Sequence, residues 1–228
     1  MKHSGKAFRA ALRLIFWTLV LLLALFAAGI LATFVGGLIA AVTSVLVTLW
    51  VVFALFTLYF FRDPTPLAPT LPNAIVSPAH GKVDVIDETT EMDFIGGPCK
   101  RISIFLSVID VHVQKAPVSG QLVYQKRRDG KFLSATQVHS AEHNECVLLG
   151  FVPTEYSDRK VGLRLIAGLI ARRIVVWVET GEVIERSDRI SLIQFGSRCD
   201  VYLPLSAKIH AKLGDKVKGG ETVVASFD

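Results

Sequence analysis

Cysteine is scarce in this chain: Cys99, Cys146 and Cys199 are its whole complement, an odd number with no C-x-x-C pair among them. That argues against a disulfide framework or a zinc site of cysteine spacing, and three unpaired thiols fit a reducing cytoplasm. Charge is missing altogether between Arg13 and Arg62. At ~1.5 Å per helical residue, that run is about twice the length needed to cross a ~30 Å hydrocarbon core. No internal repeat and no low-complexity segment is evident. The net charge is +5 and the pI near 9.2, yet no concentrated basic face with interleaved aromatics goes with it. Nucleic acid is therefore not an expected partner, and the surplus reads as membrane-flanking lysine and arginine beside an anionic lipid surface.

What is present begins with hydrophobicity: 51% of residues are apolar and the mean hydropathy is +0.47, high for a soluble globular protein. The economical reading is a transmembrane helical hairpin, roughly 14–33 and 39–60, turning at Gly36-Gly37. It lies between a basic segment, 1–13, and a linker, 62–73, that holds four of the nine prolines. A cleaved signal peptide is the other reading of the first half, since Lys2, Lys6, Arg9 and Arg13 precede the apolar run. The run is too long for that, and a second apolar stretch follows directly. Basic residues at both ends, with Arg62 closing the second, place both ends and the C-terminal domain on the cytoplasmic side of the cell membrane.

From Ala74 onward the pattern is of short strands divided by Gly, Pro and Asp turns, so residues 74–228 are expected to form one β-rich domain. The fold class is mainly β, α+β overall. Expected strands include 74–76, 82–86, 101–106, 111–113, 120–125, 146–152, 161–166, 173–178, 189–195 and 200–203. Residues 134–145 could be a short helix or a loop, and 169–172 a helical turn. "SPAHGKVDVI" near the start and "LGDKVKGGETVVASF" at the end look like the hammerhead turns of lipoyl and biotinyl carrier domains. The expectation is thus a barrel-sandwich-like architecture, with no lysine in a lipoylation motif.

Gly196-Ser197 interrupts this β pattern between "RISLIQF" and "DVYL". A glycine-serine pair is most often a turn, but inside a strand region it marks a bulge or a close backbone approach. The run "RISLIQFGSRCDVYLP", with "IAGLIARRIVVWV", "YFFRDP" and "DVHVQKAPVSG" upstream, resembles the short-form phosphatidylserine decarboxylases of bacteria and archaea over roughly residues 59–227.

That resemblance implies a chain that cuts itself between Gly196 and Ser197 into a large and a small chain. Ser197 would become a pyruvoyl group, the built-in cofactor whose carbonyl takes up the substrate amine and accepts the electron pair left by carbon dioxide. It also implies conversion of phosphatidylserine to phosphatidylethanolamine, a membrane phospholipid substrate and at least a dimer. His112, in "DVHVQKAP", matches a histidine that serves maturation and decarboxylation in the family; its bland reading is a hydrogen-bonded strand histidine. Where the family pattern reads Ser-Pro-Ala-Asp-Gly, this chain has His80 in place of the aspartate, and a histidine there can itself act as a base. Lys115 stands where long forms carry a second histidine. Arg172, Arg173 and Arg198 are candidates to bind the head-group phosphate or carboxylate, against a reading as surface charges.

Two other readings compete with this one. His139-Ser140-Ala141-Glu142-His143 fits H-x-x-E-H of inverted zinc peptidases; the favoured reading is a polar loop near the active site, with no metal. A non-catalytic membrane adaptor would leave the chain uncleaved. Within the decarboxylase class, a lipid with other tails, such as archaetidylserine, would present the same head group.

Overall fold

The computed structural model describes residues 5–31, 37–130, 143–168, 173–194 and 196–228. They form two compact units, Gly5–Asp63 and Pro64–Asp228.

The first unit is a pair of apolar helices, α1 (Lys6–Leu31) and α2 (Gly37–Phe60). Their 26 and 24 residues give lengths of about 36–39 Å, enough to span a bilayer core. α1 starts earlier than expected, so Lys6, Arg9 and Arg13 occupy its first turns rather than a separate leading segment. Leu, Val and Phe side chains project into the surroundings all around both helices, as they do where lipid replaces water. The Thr18, Ser44, Thr48 and Thr57 hydroxyls each donate to a carbonyl one turn back. The helices approach closely where Gly29 faces Thr43; a Cβ on Gly29 would lie 3.4 Å from the threonine oxygen. The expected turn, Gly36-Gly37, falls partly outside the described residues.

The second unit is built of fourteen described strands. They are β1 (Ala74–Val76), β2 (Gly81–Glu91), β3 (Gly97–Leu106), β4 (Val113–Lys115), β5 (Gly120–Arg128), β6 (Cys146–Pro153) and β7 (Val161–Ala167). β8 (Ile174–Val176), β9 (Val183–Ile184), β10 (Arg189–Ile193), β11 (Ser197–Leu203), β12 (Lys208–Ile209), β13 (Lys216–Val217) and β14 (Val223–Ser226) complete them. An eight-stranded antiparallel sheet in the order β13-β2-β3-β11-β7-β6-β5-β9 curls into a half-barrel, joined by β1-β14-β12 and β4-β10-β8. The unit is mainly β, as the alternation of apolar residues and the turn spacing imply.

One core fills the concavity. Val83, Ile102, Ile104, Leu106, Leu149, Leu163, Leu165, Val201 and Leu203 are fully buried and belong to a single cluster. The two segments that resemble hammerhead turns lie against each other: Ser77 N–H donates to Thr222 O, Gly220 N–H donates to Ser77 O, and β2 pairs with β13. Pro64–Asn73 follows the surface of the β unit. There Arg186 donates from its guanidinium to the carbonyls of Pro69, Leu71 and Ala74, which fixes an extended proline-rich segment that has few backbone donors of its own.

The strands run longer than their apolar cores suggested. β2 continues to Glu91 through Asp87, Glu88, Thr89 and Thr90, because β3 supplies a cross-strand partner for each, with Asp87 opposite Arg101. β11 begins at Ser197 itself and not at Asp200. The expected strand over 111–113 sits two residues later, at Val113–Lys115, because Ser107–Asp110 form a turn closed by Asp110.

Candidate active site

Ser197 opens β11, the fourth strand of the large sheet, where it lies between Leu106 of β3 and Ala167 of β7. Period-two alternation then sends Ser197, Cys199, Val201 and Leu203 to the core face and Arg198, Asp200 and Tyr202 to the other. Ser197 is fully buried, and its Oγ is one of the few buried side-chain oxygens among the described residues with no hydrogen-bond partner. A buried hydroxyl of purely structural purpose normally finds a partner. An orphaned one, one bond along the chain from a glycine, fits a group that must move onto the neighbouring carbonyl.

The backbone there departs from a regular ladder. Gly196 has φ +73°, a left-handed conformation that favours glycine, and its Cβ position faces open space. In an antiparallel pair, opposed residues of the hydrogen-bonded type exchange both of their bonds. Gly196 and Gly168 keep one half of that exchange: Gly168 N–H donates to Gly196 O at 3.1 Å. The N–H of Gly196 goes elsewhere, to His112 Nε2 at 3.2 Å. The turned glycine thus gives its carbonyl to a backbone donor and its amide to an imidazole.

His112 is fully buried in the segment between the Ser107–Asp110 turn and β4. Its Nδ1 lies 2.9 Å from Asp110 O, so Nδ1 carries the proton and Nε2 presents its lone pair to Gly196. The turn is itself braced, with Asp110 Oδ2 accepting from Ser107 N–H and Oγ–H, both at 2.8 Å. On the far side, His112 O accepts from Gln114 Nε2, and Gln114 Oε1 accepts from Ser191 of β10. A neutral imidazole held at both ends, with its basic nitrogen on the Gly196 backbone, is equipped to take up or return a proton there.

The other expected residues fall in different places. His80 sits in the turn between β1 and β2, and its described hydrogen bond is accepted by Nδ1 from Gly219 N–H at 3.2 Å, toward the turn between β13 and β14. Arg173 is exposed at the start of β8, and its carbonyl lies 3.4 Å from Gln194 N, two residues before Gly196. Arg172 lies outside the described residues. So do His139 and Glu142 of the H-x-x-E-H segment; among the described residues no group of three His, Cys, Asp or Glu side chains could hold a metal ion.

Arg198 is 1% exposed, and its guanidinium grips Asp84 in a two-pronged pair at 2.7 and 2.5 Å. That fork is turned to the face of the sheet opposite the core. Asp84 escaped sequence reasoning because it occupies a β-bulge, between Val83 and Val85 of β2, which strict alternation does not foresee.

The same face holds Asp200, fully buried beside Ser103 and Arg164. Burial, set against the Ser103 hydroxyl and Arg198, Arg101 and Arg164, holds the Asp200 carboxyl above its ordinary value. Phe94 helps close this face, brought over by a loop whose Asp93, Phe94 and Ile95 amides all donate to Glu91.

A family model described as "Phosphatidylserine decarboxylase" matches residues 53–225. Curated relatives named "Phosphatidylserine decarboxylase proenzyme" agree over most of the chain. One from Desulfotalea psychrophila is 44% identical over 82% of this chain and 87% of its own length. One from Symbiobacterium thermophilum is 40% identical over 84% and 91%, and one from Carboxydothermus hydrogenoformans 39% identical over 92% of each.

Proposed function

Because this chain belongs to the phosphatidylserine decarboxylase family, we propose that it cleaves itself between Gly196 and Ser197 and then decarboxylates phosphatidylserine to phosphatidylethanolamine. The observation that carries this reading is the split ladder at Gly196: a polarised carbonyl, a buried and unpartnered serine hydroxyl next to it, and a neutral imidazole on the adjacent amide.

In the first step Ser197 Oγ adds to the Gly196 carbonyl carbon as its proton leaves toward a base. His112, whose Nε2 lies on the adjacent Gly196 amide, is proposed as that base. Negative charge gathers on Gly196 O, where the Gly168 N–H already points. The C–N bond to residue 197 breaks, the nitrogen takes a proton, and an ester joins Gly196 to the Ser197 side chain. Removal of the residue 197 α-proton then expels Gly196 as a carboxylate, and one water releases the former serine nitrogen as ammonia. The pyruvoyl group so left on residue 197 supplies a carbonyl that takes up the lipid's amine and an electron sink for the departing carboxylate.

Around that position the protein's own residues bind and protonate. His112 stays within reach of residue 196 and is suited to return a proton to the substrate carbon after carbon dioxide leaves. Arg173, exposed beside β8, is proposed to bind the head-group phosphate, with Arg172 beside it. Arg198 holds the start of β11 through Asp84 rather than the lipid. His80, hydrogen-bonded to the Gly219 turn, is proposed to hold that turn rather than to attack. The apolar helices keep the catalytic unit at a bilayer on the cytoplasmic side, where a diacyl lipid presents its head group without leaving the membrane.

The test is carbon dioxide release from carboxyl-labelled phosphatidylserine in mixed micelles. The full chain is expected to turn it over, and Arg173→Ala to raise KM roughly tenfold, the cost of one charged contact, with little change in kcat. A matured, two-chain protein that releases no carbon dioxide would overturn the assignment.

A further inference from the structure

The Gly168 N–H that donates to the scissile carbonyl belongs to the peptide unit whose oxygen is Ala167 O. That oxygen accepts from Asn144 Nδ2 at 2.8 Å, and Asn144 is fully buried. The groups therefore lie in series: side-chain amide to Ala167 carbonyl, then through one peptide bond to the Gly168 N–H, then to Gly196 O at 3.1 Å. Hydrogen bonds arranged in series polarise one another, and drawing electron density toward Ala167 O makes the Gly168 N–H a better donor. The neighbouring residue holds the other side of the same strand end: Ala167 N–H donates to Glu145 O at 2.9 Å, and the Glu145 carboxylate is itself held by Arg127 at 2.5 Å. Residue 144 thus holds the 167–168 peptide and residue 145 the 166–167 peptide before it, so both planes flanking Ala167 are tied.

We propose that Asn144 is a positioning residue for self-cleavage, acting through the Ala167–Gly168 peptide to strengthen the donor that receives the negative charge forming on Gly196 O. This rests on the self-cleavage reading above. Asn144 does not hydrogen-bond the Ser197 hydroxyl, which has no partner among the described residues. Its amide nitrogen is placed to add donor strength where charge develops, and a buried carbonyl needing only satisfaction would be served by any donor.

Asn144→Asp separates these roles, since it keeps the shape and replaces Nδ2 by an oxygen that donates only when protonated. The full-length variant and native chains are made by cell-free synthesis in detergent, and conversion of one chain to two is followed by intact mass. Hydroxylamine, which cleaves the ester, is added in parallel to read the first step alone. Expected is a slowing of about 10- to 100-fold at pH 8, below the loss typical of removing an oxyanion donor outright. The ratio of native to variant rate should narrow as pH falls and the carboxyl regains its proton; taking the ratio cancels titration of His112, common to both chains. Should Asn144→Asp not fold, as judged by its thermal midpoint, Asn144→Ala is expected to show the same slowing with no narrowing at low pH.

Cleavage of folded variants at the native rate would overturn the inference, as would an Asn144→Asp ratio that does not move with pH. A native chain that stays whole would instead overturn the self-cleavage reading, so the two failures are distinguishable.

Discussion

Strand β11 is buried on both faces, and the two faces achieve this by different means. Toward the core, Cys199, Val201 and Leu203 pack among aliphatic neighbours that ask for nothing but contact. On the other side Arg198, Asp200 and Tyr202 are just as inaccessible, and each of the first two carries a charge or a proton that must be settled by a partner. Arg198 is settled by Asp84. Asp200 is settled only in part: its Oδ1 has no hydrogen-bond partner among the described residues. The comparison teaches where stability and chemistry are kept apart. The polar face ties the strand from outside the core, whereas the core face carries the Ser197 hydroxyl, which is buried with no hydrogen-bond partner among the described residues.

The largest expected effect falls on that hydroxyl. Ser197→Ala should abolish both cleavage and decarboxylation, yet leave an uncleaved chain that is folded. Removing an unpartnered buried oxygen costs no hydrogen bond, so its thermal midpoint should equal or exceed that of freshly made native precursor. A clear fall would mean that the serine is structural after all.

The next effect belongs to the polar face. Asp84→Ala in the Ser197→Ala background removes the two-pronged carboxylate from buried Arg198 and should cost about 2 kcal/mol, in the range for hydrogen bonds to a charged group. Chemical denaturation in detergent would measure it. A loss well under 1 kcal/mol would show that Arg198 reaches solvent, and the contrast between the faces would fail.

The smallest effect is the pH dependence at Asp200. Its carboxyl is held above the ordinary value, chiefly by burial. Its folded-state value therefore exceeds its unfolded one, and ionisation is harder in the fold. Below the usual carboxylate range both states are protonated and there is no penalty; the penalty grows as pH rises through that range to the raised value, and persists above it. Asp200→Asn in the same background should thus stabilise the fold at neutral pH, with the gain shrinking as pH falls through the carboxylate range. A variant that is less stable at pH 7 would mean that the neighbouring arginines outweigh desolvation.

Much of this arrangement could be read from residues alone. The uncharged run after Arg13 gives two helices, and apolar alternation gives most of the strands, because both follow from burial on one face at a fixed period. Gly196-Ser197 stood out because it breaks a β pattern, and His112 because of its motif; the structure brings these two segments into contact through a hydrogen bond spanning 84 residues of sequence. What escaped was long-range and polar. Asp84 pairs with Arg198 across 114 residues from a bulge, Asn144 reaches Ala167 across 23, and Gly168 meets Gly196 through its backbone, which no side-chain pattern reveals. The longer strands escaped too, since charged residues such as Asp87 join a ladder only when a partner such as Arg101 faces them.

If the split ladder at Gly196 exists to break the chain there, the intact mass of the purified protein will show it. Predicted are two chains that divide between Gly196 and Ser197, the smaller one lighter by one ammonia than a fragment beginning with serine. A single chain of 25.0 kDa in protein that is folded and given time to mature would contradict it.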